Sequence, residues 1–258
     1  MGNALEIFCD VSREKVRPYK PEELCFEVFR SLHNLSHPGI RATKRLIQDR
    51  FVWPSMLKDI AKWTRCCIPC QRCEVQRHTV SPIQPFALTV ERFQHVHINL
   101  VGPFPPSDGF TFLLTCIDRY TRWPEVITVS DISAEAVAKS FIANWISRFG
   151  VPAIITKDQG GQFQSRLLYS LKQMLGIQRI RTTPYHPSSD GMVERLHRTL
   201  KQAIRCNDTK WTESLPVVLL GLRACIKKDL NAFCAEMVFG KTIVLPGEFF
   251  EPSSQTPN

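Results

Sequence analysis

The chain has 258 residues, 43% hydrophobic and 22% charged, with a formal net charge of +9. That size and composition exclude a disordered or fibrous chain and allow one large domain or two modest ones. The positive excess points to an acidic partner, with nucleic acid the first candidate.

The opening MGNALEIFCD lacks the long apolar core of a secretory signal, so a secreted protein is not expected. It meets only the start of a myristoylation pattern, because Glu6 stands where Ser or Thr is required. The longest apolar run, Leu215 to Leu222, is too short to span a bilayer, so no membrane partner is expected. Ten cysteines without an export signal argue for thiols or metal ligands rather than a disulfide framework.

Residues 22–64 read as short helices. Leu24, Val28 and Leu32 recur at four-residue intervals, Ile40, Leu46 and Ile47 form a second patch, and Met56, Leu57, Ile60 and Trp63 a third. Such a segment is too small for a secure core and calls for a staple. Residues 74–90, with two prolines and no clear period, read as a linker. Strands are expected at 93–101, 111–118 and 124–130, then a helix at 133–149 stopped by Gly150 and Pro152. A strand at 153–157, a helix at 162–175, a strand at 177–182 and helices near 189–206 and 211–226 follow. Three consecutive strands, then alternating helices and strands, predict an α/β fold with a mixed sheet covered by helices.

The staple is legible. His33 and His37 have helical i,i+4 spacing, which would put both imidazoles on one face of a helix. Cys67 and Cys70 form a C-x2-C pair that a tight turn could present to one ion. Together they make the four-ligand set of a closed structural Zn2+ site, whose affinity becomes folding energy. The alternative is four such residues without a metal. Cys66 and Cys73 crowd the same stretch, and Cys70/Cys73 is also a C-x2-C pair, so the register is open.

In HVHINLVGP, apolar Val96, Ile98 and Leu100 alternate with His95, His97 and Asn99. His95 and His97 read as ordinary strand residues. Asp158 ends the expected strand 153–157 before Gln159-Gly160-Gly161, where an acid is well placed to hold a metal outside a sheet. Thirty-five residues separate it from Glu194. On the helix around Glu194, this carboxylate shares a face with Arg198, Lys201 and Arg205, opposite Val193, Leu196, Leu200 and Ile204. Between Ile177 and Arg205 six basic residues face two acids, a balance that suits a phosphate backbone. Alternatively this is a solvated face with a Glu194–Arg198 ion pair.

H-x3-H…C-x2-C, the strand ending in VGP, ITKDQGGQF and PYHPSSDGMVERLHRTLK, supported by FVWPSM, DRYTRWPE, RFGVP and LPGEFF, together resemble the integrases of Gypsy-type long-terminal-repeat retrotransposons. The resemblance runs from about Tyr19 to Phe250. It implies an extension at 1–18, a helical zinc-binding domain at 19–75, a linker at 76–91, an RNase H-like core with a five-stranded mixed sheet at 92–250 and a tail at 251–258. It further implies DNA integration by polynucleotidyl transfer, with an Asp, Asp, Glu triad holding two Mg2+ or Mn2+ ions about 3.5–4 Å apart.

By this resemblance the second acid falls on Asp158 and the third on Glu194. The first falls on Asn99, an amide. Mg2+ favours carboxylates and water, so the expectation is weak metal binding and impaired activity. Asp118 is the one nearby substitute acid. Tyr185 and His186 would lie in the loop before the catalytic helix, and Arg195, Arg198 and Lys201 would face DNA ends. The resemblance also implies DNA and further copies of the chain as partners, and a nuclear location. The family usually carries a further small domain beyond Phe250. Its absence would fit a fragment of a Pol polyprotein, a degenerate copy or a domesticated gene. A non-catalytic module that binds DNA or co-assembles with active integrase is the competing reading.

Overall fold

In the computed structural model, residues 7–13, 15–73, 91–157, 161–175, 181–183, 187–206, 210–227, 230–246 and 248 are described. A two-stranded hairpin, β1 (Cys9–Asp10) and β2 (Arg17–Pro18), opens the chain, held by an Arg17–Asp10 ion pair. Four helices follow: α1 (Glu22–His33), α2 (Ile40–Gln48), α3 (Met56–Arg65) and α4 (Ile68–Cys73). The expected apolar positions Val28, Leu32, Leu46, Ile47, Met56 and Ile60 are buried together with Phe29, Phe51 and Trp53. Leu24 and Leu57 instead face solvent.

The second part is built on β3 (His95–Val101), β4 (Phe112–Asp118), β5 (Pro124–Val129), β6 (Ile154–Lys157) and β7 (Arg181–Thr183). These form one five-stranded sheet in the order β5-β4-β3-β6-β7. The hairpin pairs β3–β4 and β4–β5 are antiparallel, whereas β3–β6 and β6–β7 are parallel. This is the mixed sheet that the order of elements predicts.

Between β5 and β6 run α5 (Ala134–Phe141), a π-helical turn at Ile142–Ile146 and the single turn α6 (Ser147–Phe149). The single expected helix is thus interrupted, and its wider turn keeps Phe141 and Trp145 both fully buried. Beyond β6 come α7 (Gly161–Leu175), α8 (Pro187–Cys206), α9 (Trp211–Ala224), the hairpin β8 (Ile226–Lys227) and β9 (Ala232–Phe233), and α10 (Cys234–Phe239).

Strand parity sorts the two faces of the sheet. Val96, Ile98, Leu114 and Cys116 pack against Val137, Phe141 and Trp145 of the α5 stretch and Leu167 and Leu171 of α7. Val101, Leu113, Ile117 and Val126 pack against Val193, Leu196, Leu200 and Ile204 of α8 and Val218 and Leu222 of α9. Asn99 shares the parity of Val101, so it points to the α8 face.

The helical module does not bury its core alone. Ala224, Cys225 and Leu245, from the end of α9 and the segment beyond α10, belong to the same cluster as Leu32, Ile47 and Phe51. Arg50, fully buried, pairs with Glu248 and lies over the Phe233 ring at 5.6 Å. Gly221 of α9 sits so close to the turn after α1 that a Cβ there would lie 2.6 Å from Ser36 Oγ and 2.9 Å from Leu35 Cβ. Gly221→Val should therefore wedge the module away and lower stability by about 1–3 kcal/mol. Thermal denaturation of the zinc-loaded chain reads this, and an unchanged midpoint would count against the packing.

Candidate active site and zinc centre

His33, His37, Cys67 and Cys70 converge, with one ligand atom from each within 4.8 Å of every other. Cys70 Sγ lies 3.4 Å from His33 Nε2 and 3.4 Å from His37 Nδ1, and Cys67 Sγ lies 3.6 Å from His37 Nδ1. A tetrahedron with Zn–S near 2.3 Å and Zn–N near 2.05 Å has S···N edges of about 3.6 Å. The pocket therefore has the dimensions of a Zn2+ ion, and among the described side chains the cysteines that line it are Cys67 and Cys70. Cys66 is exposed and outside the cluster.

Two local details differ from expectation. The helix α1 ends at His33, and His37 lies one turn beyond it with a left-handed backbone (φ 46°), its N–H donating to His33 O at 2.8 Å. His33 therefore offers its far nitrogen and His37 its near one. The cysteines are presented by the start of α4 rather than by a tight turn: Cys67 precedes the helix and Cys70 lies in its first turn.

The Thr43 hydroxyl fixes the ring of His33. It donates to Pro38 O at 2.9 Å and lies 3.2 Å from His33 Nδ1. With its one proton spent on Pro38, it accepts from Nδ1–H, which leaves the Nε2 lone pair for the metal. Burial, then the neighbouring His37, lowers the His33 pKa to about 4, and burial lowers that of His37. Both imidazoles are thus neutral, the ligating form, near pH 7. No sequence pattern singled out Thr43. A buried threonine ten residues after a candidate ligand carries no local signal.

The acidic site is different. Asn99 is 6% exposed, and its Oδ1 accepts from the next backbone amide, Leu100 N, at 2.8 Å. One of the two lone pairs on the single oxygen an amide could offer a cation is thus engaged by its own chain. In the sheet register Ile98 stands opposite Lys157, the last residue of β6. Asp158, the second expected acid, lies outside the described residues, as do Tyr185 and His186. Glu194 is on α8 with 66% of its side chain exposed, ion-paired to Arg198 at 3.3 Å. Both partners are exposed, so this pair contributes little stability and leaves the carboxylate easy to recruit. Arg195, Lys201 and Arg205 are exposed on the same helix.

Asp118 lies apart from the position where the resemblance expects the first acid. Its partner in the register is Val96, three residues from the Asn99 pair and on the other face of the sheet. Its Oδ1 accepts from Phe93 N at 3.0 Å, and its Oδ2 accepts from Thr121 N at 2.8 Å and Thr121 Oγ1 at 2.7 Å. It is a fully buried turn cap. His95 and His97 stack at 5.0 Å, and His95 Nε2 bonds Thr156 Oγ1 at 2.7 Å. Burial is the main cause that lowers their pKa values, to about 4 and about 3. They are neutral strand residues.

Two residues beside Asn99 carried no expectation. Thr115 is its register partner on β4, and Thr115 Oγ1 lies 2.8 Å from His197 Nε2 on α8. The signal for His197 was present: a polar residue three positions after Glu194, inside the apolar stripe of Val193, Leu196 and Leu200.

The described residues fit Zn2+ at the first centre. At the second the described residues include the exposed carboxylate of Glu194 and the neutral amide of Asn99, while Asp158 lies outside them. Fold and sites together define a class: a helical module with a His2Cys2 zinc centre joined to an RNase H-like mixed sheet flanked by helices. Residues 20–76 match the Integrase zinc binding domain and residues 90–187 the Integrase core domain. The Pro-Pol polyprotein of Simian foamy virus type 3 is 29% identical over 218 residues, covering 83% of this chain and 19% of the relative. The Retrovirus-related Pol polyprotein from transposon 412 of Drosophila melanogaster is 29% identical over 226 residues, covering 86% and 18%.

A chain of the simian T-cell lymphotropic virus intasome, solved with PP2A regulatory subunit B56 gamma, shares the fold. It has a TM-score of 0.53 and 14% identity, over 89% of this chain and 78% of that one. The chain carries the zinc-binding and core domains of integrases, and its relatives are retroelement Pol polyproteins. It spans about a fifth of the length of those curated relatives. Members of this core family use Mg2+ or Mn2+, and the zinc-binding domain holds a structural Zn2+. Among the described residues no helix is long and apolar enough to cross a membrane.

Proposed function

We propose that this chain is a DNA-binding integrase whose phosphoryl-transfer site is silenced at Asn99. In the reaction of the family a DNA 3′ oxygen attacks a phosphodiester phosphorus of a second DNA as the original P–O bond breaks. That chemistry needs carboxylates to hold cations against the developing charge. The observation that carries the reading is Asn99: buried on the site strand, facing the helix of Glu194, neutral, and with Oδ1 held by Leu100 N–H. Asp158 and Glu194 remain the metal-binding acids of the reading. Tyr185 and His186, which precede α8 in the sequence, are further proposed DNA contacts.

The binding half rests on α8. Arg195, Arg198, Lys201 and Arg205 are exposed along one helix, and a row of cations at that spacing tracks a phosphate backbone. Retroelement ends and target DNA are the proposed ligands, further copies of this chain the proposed partners, and the nucleus the place of action. The intasome relative supports assembly on DNA as the working form.

The test is the salt dependence of binding to a duplex with a retroelement-type end, by fluorescence anisotropy. Arg198→Ala and Lys201→Ala should each weaken binding and reduce the slope of log K against log salt by about one. A slope unchanged in the double variant would overturn the placement of DNA on α8.

A further inference from the structure

We infer that Thr115 and His197 form a hydrogen-bonded strut that sets the Glu194 helix against the Asn99 strand, making both positioning residues. The inference rests on the integrase reading of this site and names what holds its parts together. Thr115 Oγ1 donates to Asn99 O at 3.1 Å and lies 2.8 Å from His197 Nε2. A threonine hydroxyl has one proton. With that proton directed at the Asn99 carbonyl, the oxygen accepts from His197, which therefore carries its proton on Nε2. The chain of bonds runs from α8 through β4 to the backbone of residue 99 and crosses three elements brought together only by the fold.

Among the described residues, Val193, Leu196, Leu200 and Ile204 on the helix meet Val101, Leu113 and Ile117 on the sheet in an apolar cluster. Apolar packing is non-directional and tolerates sliding along the helix axis. A directional bond at His197, three residues from Glu194, fixes which turn of α8 faces residue 99. Thr115 is 2% exposed and His197 half-buried, so the bond is partly shielded from water. Misplacement of a reacting group by about 1 Å costs about 100-fold in rate, so one such bond is enough to matter.

The test uses the full zinc-loaded chain and two readouts. Hydrogen exchange of the amides of residues 193–200 is followed in Thr115→Val, Thr115→Ser, His197→Leu and His197→Gln. Strand transfer is followed for the same changes in an Asn99→Asp background. Thr115→Val and His197→Leu should speed exchange in that segment and lower strand transfer by about 10- to 100-fold. Thr115→Ser and His197→Gln, which keep an acceptor and a donor, should restore both. His197→Leu suits the apolar stripe and folds even where Thr115→Val does not. Exchange unchanged in His197→Leu, or equal effects of the conservative and apolar changes, would overturn the strut. If Asn99→Asp itself is inactive, the integrase reading fails while hydrogen exchange still decides the strut.

Discussion

Asn99→Asp is expected to raise Mg2+-dependent strand transfer by about 100- to 1,000-fold over the native chain, the range typical of restoring one electrostatic group to a transition-state site. The two side chains are nearly isosteric, so the sheet should accept the change. What changes is charge. The native amide is neutral, and its oxygen is bound to Leu100 N–H. An aspartate there would be a carboxylate with 6% exposure beside the buried, neutral His97. Without cations that charge is poorly solvated and should lower stability. Mn2+ should then raise the melting temperature of Asn99→Asp, in proportion to ln(1 + [Mn2+]/Kd), and leave the native chain almost unmoved. Strand transfer with a precut end oligonucleotide measures the rate. Native activity equal to that of Asn99→Asp would contradict the account. Asp118 would not explain such a result, because its carboxylate caps the turn at Thr121 on the other face of the sheet.

Zinc removal should have the second large effect, and one that reaches beyond the four ligands. Structural zinc contributes about 10–16 kcal/mol of apparent binding energy in small zinc domains, comparable with the whole stability of a typical domain. The cluster it supports includes Ala224, Cys225 and Leu245. Burying a leucine such as Leu245 is worth about 1.5–3 kcal/mol, and Arg50–Glu248 is a buried pair whose separation leaves an uncompensated charge. Chelation, or Cys70→Ser, should therefore melt α1–α4 and release the end of α9 with them. The expected record is loss of helical circular dichroism and faster exchange at both residues 25–65 and 220–225. Cys66→Ser should match the native chain, because Cys66 is exposed and outside the cluster. Faster exchange confined to residues 25–65 would show that the module unfolds alone.

What was legible in the sequence had a chemical or periodic signature. Two histidines and two cysteines at ligand spacing announce a metal because few other needs select that set. The alternation in HVHINLV announces a strand, and the face of α8 with Glu194 and Arg198 follows from a 3.6-residue period. Other features had no local trace. The left-handed backbone of His37 depends on how the chain leaves α1, and the interrupted helix at Ile142 on how Trp145 reaches the core. The contact of Arg50 with Glu248 joins positions 198 residues apart. Thr115 meets His197 only once the sheet register and the seat of α8 are both set. The amide at Asn99 was visible as a departure from the family pattern. That its oxygen is turned onto Leu100 N–H was not, because rotamers follow from packing.

The central claim is that residue 99 is where a metal-binding charge is missing. The most direct measurement is calorimetric titration of Mn2+ into the zinc-loaded native chain, Asn99→Asp and Asn99→Asp/Glu194→Gln. The account predicts saturable binding in Asn99→Asp that is absent from the native chain and lost again in the double variant. Native binding as tight as that of Asn99→Asp would contradict it.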